Sequence, residues 1–165
     1  MKRKIYAMVL GSVLSLGVFN EVRAQDNAGY SPIMLGIVNP FQLPPDDFYI
    51  GGLKLNLPYG QCHDFLGLDA GLFSYCSGNA HGLHIGGVTV IGGDGSGLMI
   101  NLLANHVQGE YGGLQIGFIN SATHINGLQI GVINICNTAY GVQIGVVNVI
   151  KDNDLPFFPI INGYF

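Results

Sequence analysis

One eight-residue unit of alternating apolar and polar positions is used three times: Gly-Leu-Gln-Ile-Gly-Phe-Ile-Asn at residues 113–120, then close copies at 127–134 and 141–148. Positions two and four are apolar (Leu114, Ile116; Leu128, Ile130; Val142, Ile144), and position three is polar (Gln115, Gln129, Gln143). That is the period-two pattern of a strand. After the glycine at position five (Gly117, Gly131, Gly145) the alternation breaks, because positions six and seven are both apolar before the asparagine at position eight (Asn120, Asn134, Asn148). The expected unit is a strand, a bend that lets both side chains bury, and a polar corner, with four or five aliphatic side chains inside each copy.

The first glycines of these copies, Gly113, Gly127 and Gly141, are fourteen residues apart, and looser copies begin at Gly52, Gly67, Gly82 and Gly97. Their intervals are fifteen, fifteen and fifteen residues, then sixteen to Gly113. A fixed short period marks a repeat array and not an enzyme fold. Degenerate copies flank it at 32–39, which keeps Leu-Gly-Ile-Val-Asn, and at 155–162, which keeps Ile-Ile-Asn. All seven prolines lie at the margins and none between Gly60 and Leu155, as expected of a sheet-forming stack with protected ends. The predicted layout is a leader at 1–24, an N-terminal capping segment at 25–51, the array at 52–154 and a C-terminal capping repeat at 155–165.

Two all-β architectures fit this period. In a β-solenoid each coil of 14–16 residues stacks in parallel on the next at about 4.8 Å. In a small up-and-down outer-membrane β-barrel of about eight strands, each unit is one strand plus its turn and neighbours run antiparallel. Translation gives every coil the same neighbours, so identical glycine, glutamine and asparagine positions favour the solenoid. Asn120, Asn134, Asn148 and Asn162 are then expected to form one amide ladder at a corner, and Gln115, Gln129 and Gln143 a second outside. The barrel draws support from the aromatic C-terminus, Phe165. Against it stand Pro159 and Gly163 in the last strand and the absence of tryptophan.

Lys2, Arg3 and Lys4 precede an apolar run to Phe19, and Val22-Arg23-Ala24 supplies a small residue for cleavage before Gln25, the layout of an export signal. Beyond it only Lys54 and Lys151 stand against nine acids. That balance excludes a nucleic-acid role, which needs a basic surface. Charge is also sparse: 10% of the chain against roughly a quarter in ordinary soluble domains. Of the three cysteines, Cys62 and Cys76 are one period apart, which puts them on neighbouring rungs within reach of a disulfide; burial of all three as small fillers is the other reading.

No catalytic, cofactor-binding or metal-ligating set emerges. Residues 92–97, Gly-Gly-Asp-Gly-Ser-Gly, depart from the calcium-binding nonapeptide at its sixth position and occur once, so they read as a turn. His84 occupies position three, which marks it as an outward polar residue. His63, His81, His106 and His124 have no recurrent base or nucleophile partner, and the acids at 46–47 and 152–154 read as solvated turns.

The recurring Gly-Leu-Gln-Ile-Gly-x-x-Asn, the segment at 66–72 and the closing Pro-Phe-Phe-Pro-Ile-Ile-Asn at 156–162 resemble the leptospiral-type surface repeat-containing proteins. Asn56 and Asn101, in place of the second glycine, depart from that pattern. The resemblance implies an exported protein at the surface or outer membrane of a Gram-negative bacterium, with no established activity. The expected function is therefore non-enzymatic, structural or adhesive, with envelope components or further copies of the chain as partners of unknown identity and without a cofactor; a small outer-membrane barrel protein is the alternative.

Overall fold

A computed structural model of the chain describes residues 29–38 and 41–164. The predicted leader and its cleavage point, Asn39, Pro40 and Phe165 lie outside the described residues. One sheet contains β1 (Tyr30–Val38), β2 (Phe41–Leu43), β3 (Tyr49–Cys62), β4 (Phe65–Cys76), β5 (Ala80–Ile91), β6 (Gly95–Ile150) and β7 (Phe157–Tyr164), in the order β2-β1-β3-β4-β5-β6-β7.

The pairs β1–β3, β3–β4, β4–β5 and β5–β6 are all parallel, and the short β2 pairs antiparallel with β1 at the edge. Register follows the repeat: Gly52 pairs with Gly67, Gly67 with Gly82, and Gly82 with Gly97. Strand β6 continues the winding through several rungs, since Gln115 meets Gln129, Gln129 meets Gln143, and Asn120 meets Asn134, always fourteen residues on and in the same direction. The protein is a β-solenoid. The barrel alternative is set aside because its neighbours must alternate in direction.

The glycine that opens each unit makes a corner that no other residue fits. These seven residues have φ between 117° and 154°, backbone that side chains rarely adopt. A Cβ on Gly127 would also lie 2.1 Å from the Gly113 carbonyl oxygen of the rung below. Coil length varies at two other places. Three residues, Ser77-Gly78-Asn79, separate buried Cys76 from buried Ala80, whereas two, Thr123-His124, separate buried Ala122 from buried Ile125. In the sixteen-residue coil a second insertion shifts the register between Gly86↔Asn101 and Val88↔Ala104, so that Gly87 alone faces Leu102 and Leu103.

The faces are reversed relative to expectation. Position three is interior: Lys54, Asp69, His84, Met99, Gln115, Gln129 and Gln143 are all buried. Positions two and four are half-buried or exposed, and the bend turns positions six and seven outward as well, as at Phe118 and Ile119. Two columns supply the apolar interior instead. One runs through Cys76, Ile91, Val107 and Ile150, the other through Ile50, Phe65, Tyr111 and Ile125. Each coil thus buries fewer aliphatic side chains than the four or five expected. Period-two alternation separates two faces but does not say which is inside.

The ends also differ. At 32–38 the degenerate copy is a parallel rung, with Gly36 opposite Asn56. At 155–162 it is not a rung: β7 runs antiparallel to β6, with Asn162 opposite Gln143. A tight turn closed by the Asn153 N–H on the Ile150 carbonyl, 3.2 Å, reverses the chain. Asn162 therefore stands outside the asparagine ladder, its amide nitrogen donating to the Pro156 carbonyl at 3.5 Å.

Candidate functional site

The interior explains the motif. Nδ2 of Asn105, Asn120 and Asn134 donates to Oδ1 of the next asparagine at 2.7, 2.8 and 2.7 Å, and each also donates to the position-four carbonyl of the next rung, Ile116, Ile130 or Ile144, at 2.9 Å. The amides of these ladder asparagines are satisfied along the stack axis, which is what burying them requires, whereas the Oδ1 atoms of Asn56 and Asn101 are buried without a partner. The second glycine provides the room: a Cβ on Gly131 would sit 2.6 Å from Asn120 Nδ2. At Asn56 the exchange is visible in reverse. Its side chain fills the interior beside Gly60, where a Cβ would lie 1.8 Å from Asn56 Oδ1. Both departures from the glycine pattern are therefore rungs in register, Asn56 opposite Gly71 and Asn101 opposite Gly86.

The glutamine ladder exists, but inside. Nε2 of Gln129 donates to Gln115 Oε1, and that of Gln143 to Gln129 Oε1, both at 2.7 Å. The same column continues downward as Met99, His84, Asp69, Lys54 and Met34, so His84 points inward rather than out. Asp69 Oδ2 lies 3.5 Å from Lys54 Nζ and 3.2 Å from His84 Nδ1. Its Oδ1 accepts from Asn56 Nδ2 and Ser74 Oγ, each at 2.9 Å. Burial pushes the Asp69 carboxyl up, but Lys54, His84 and Ser74 together outweigh it and hold the group below its ordinary value. Burial pushes Lys54 down, and Asp69 with the neighbouring thiols more than reverses this.

Lys54, Asp69 and His84 are 1%, 2% and 1% exposed. A cluster closed between Met34 and Met99 offers a dissolved substrate no approach, so its consequence is for stability. Cys62 and Cys76 adjoin it as register partners, buried free thiols rather than a disulfide. A hydrogen bond between them lowers the Cys62 thiol and, with burial, raises that of Cys76. Cys136 is the third buried free thiol, and burial pushes it up to about 12.

What faces solvent is apolar. Positions two, four and six form ridges along the stack, with the position-five residues as the floor between the last two. Two grooves follow this floor. One of about 780 Å³ is lined by Leu35, Leu55, Leu57 and Leu72 over Gly36 and Gly71. The other, of about 670 Å³, is lined by Leu102, Ile116, Phe118 and Val146 over Gly117 and Gly131. No ionisable side chain lines either groove. Contiguous exposed apolar surface of this extent is uncommon on monomeric soluble proteins.

Charge lies on another side. Asp64 Oδ1 accepts the backbone N–H of Asn79 at 2.7 Å, Asn79 Oδ1 that of Asp94 at 2.9 Å, and Asp94 Oδ1 that of Glu110 at 2.8 Å. These residues form a third ladder at the outer corner, which takes in residues 92–94 as the connection between coils, while Gly95, Ser96 and Gly97 of the same segment belong to β6. Among the described residues no group of three His, Cys, Asp or Glu side chains is arranged to hold a metal ion.

The structure gathers the twelve predicted repeat residues into corner, floor and two interior ladders. Sequence reasoning missed the ion-paired column, for which a signal existed: Lys54, Asp69 and His84 occupy one repeat position in consecutive copies. No family model, curated protein or solved structure matches the chain.

Proposed function

We propose that this is a non-enzymatic, exported repeat protein of the cell envelope or surface, in which the solenoid is a scaffold and its apolar outer face an interaction surface for adhesion or assembly. The carrying observation is the inversion of the coil: amides and ions are spent on the interior, and aliphatic side chains are presented to the outside. Keeping Leu55, Leu102, Phe118 and Val146 between 40% and 79% exposed forgoes a corresponding part of the roughly 1.5–3 kcal/mol that full burial of such a side chain gives. A partner that covers them returns it. The leader-like start supports export, and the likeness to leptospiral-type surface repeat proteins supports an envelope location.

Fractionation of a Gram-negative host expressing the full chain tests this reading. The expected product begins at Gln25, sediments with the envelope and is released by carbonate or urea. An uncleaved chain that stays in the cytosol would contradict export, and a strict detergent requirement would contradict a peripheral association.

A further inference from the structure

We infer that Cys62 and Cys76 form a two-coordinate site for a soft monovalent cation, Cu(I) or Ag(I), held between their sulfur atoms inside the stack. The two are register partners on the neighbouring parallel rungs β3 and β4, and both side chains face the interior, 0% and 2% exposed. Their thiols lie within hydrogen-bond reach of one another. The same column continues as Ile91 and Val107, so the thiol pair is confined to the two rungs that also bear Lys54 and Asp69. Cys136 has no such partner, since the buried residues fourteen positions away on either side are Ala122 and Ile150.

Spacing separates this site from a disulfide. Residues in register on neighbouring strands stand about 4.8 Å apart, and the ladder pairs Gln61↔Tyr75 and Gly60↔Ser74 beside the cysteines hold that distance. A disulfide wants β-carbons about 3.8 Å apart, which would draw the two rungs together. Two thiolate–metal bonds in line, each about 2.3 Å, place the sulfurs about 4.6 Å apart and need no such movement.

Donor number and charge select the ion. Zinc takes four ligands and calcium six or more oxygens, and among the described residues no third His, Cys, Asp or Glu completes a set. Thiolates alone, and only two of them, suit a soft monovalent cation. On binding, two S–H bonds break, two S–metal bonds form and both protons leave to solvent. The product carries one net negative charge, which a closed interior tolerates only beside a cation. Lys54 is placed to supply it: Nζ donates to the carbonyl of Tyr75, the residue before Cys76, at 3.4 Å, and its charge acts on both thiols. Because the site is closed, uptake follows opening of the coil and is faster during refolding than in the folded chain.

Anaerobic titration of the purified, reduced chain against the coloured Cu(I)–bicinchoninate complex tests the site, both on folded chain and on chain refolded from urea with the complex present. One copper per chain is expected, with a raised melting temperature and an X-ray absorption spectrum showing two sulfur neighbours and no nitrogen or oxygen. Cys136→Ser should keep that copper and spectrum. Cys62→Ser and Cys76→Ser should each lose the copper with an unchanged far-ultraviolet spectrum. The coordination spectrum is read on wild type and Cys136→Ser, so it decides even where one of the other two variants fails to fold. No uptake by either route, copper retained by folded Cys76→Ser, or a nitrogen or oxygen neighbour on the metal would overturn the proposal. So would a chain that takes up no copper and instead loses two hydrogens in air to a Cys62–Cys76 disulfide. Each of these results leaves the reading of the apolar outer face untouched.

Discussion

Gly127→Ala is expected to destabilise the protein by about 3 kcal/mol or more, whereas Gly112→Ala should change it by less than about 1 kcal/mol. Gly127 has φ 146°, and the new Cβ would stand 2.1 Å from the Gly113 carbonyl oxygen. That atom belongs to the backbone of the rung below, which cannot move without disturbing its own ladder. At Gly112 the nearest atom to an added Cβ is Ser96 Cβ, at 3.8 Å, an ordinary contact. Urea unfolding of the two variants measures the difference. Equal midpoints would mean that the corner glycines are incidental.

Lys54→Met should cost about 3–5 kcal/mol, because it leaves the buried Asp69 carboxylate without its lysine, against His84 alone. The space is not the difficulty, as methionine already fills the same column at Met34 and Met99. Replacing Lys54, Asp69 and His84 together by methionine should therefore restore stability to near that of the wild type. The two shifts also set the pH dependence. Asp69 is depressed in the fold, so its contribution is present above about pH 4, its unfolded value, and is lost as pH falls through the lower folded value. Lys54 is raised, so its contribution is present below about pH 10.4 and is lost as pH rises through the higher folded value. Lys54→Met should remove the alkaline limb and move the acid limb upward. Melting curves across pH check both; a triple variant as unstable as the single one would show that the ions hold the fold by more than mutual compensation.

The architecture was legible because translation leaves a signature: Gly113, Gly127 and Gly141 recur at one interval, and an asparagine ladder needs Asn120, Asn134 and Asn148 at another fixed offset. Orientation was not legible. Leu114 and Ile116 look like core residues and Gln115 like a surface residue when each rung is considered singly. Only stacking reverses these assignments, since Gln115, Gln129 and Gln143 bond one another along the axis, which leaves Gln143 Oε1 at the end of the ladder as the one amide oxygen of the three without a partner. The C-terminal copy misled for a related reason. Ile-Ile-Asn at 160–162 preserves the composition of a rung, yet the turn at 151–155 reverses its direction.

Equivalence of the rungs is tested most directly by removing one. Deletion of residues 127–140 joins Asn126 to Gly141 and leaves Asn120 to bond Asn148 in place of Asn134, so every ladder closes again across the excision. Its thermal unfolding should remain a single cooperative transition with a modest loss. Ile130→Pro keeps every rung but breaks one ladder, and should cost about 3 kcal/mol or more. A deletion as damaging as the proline, or one that abolishes the sheet signal, would contradict translational stacking.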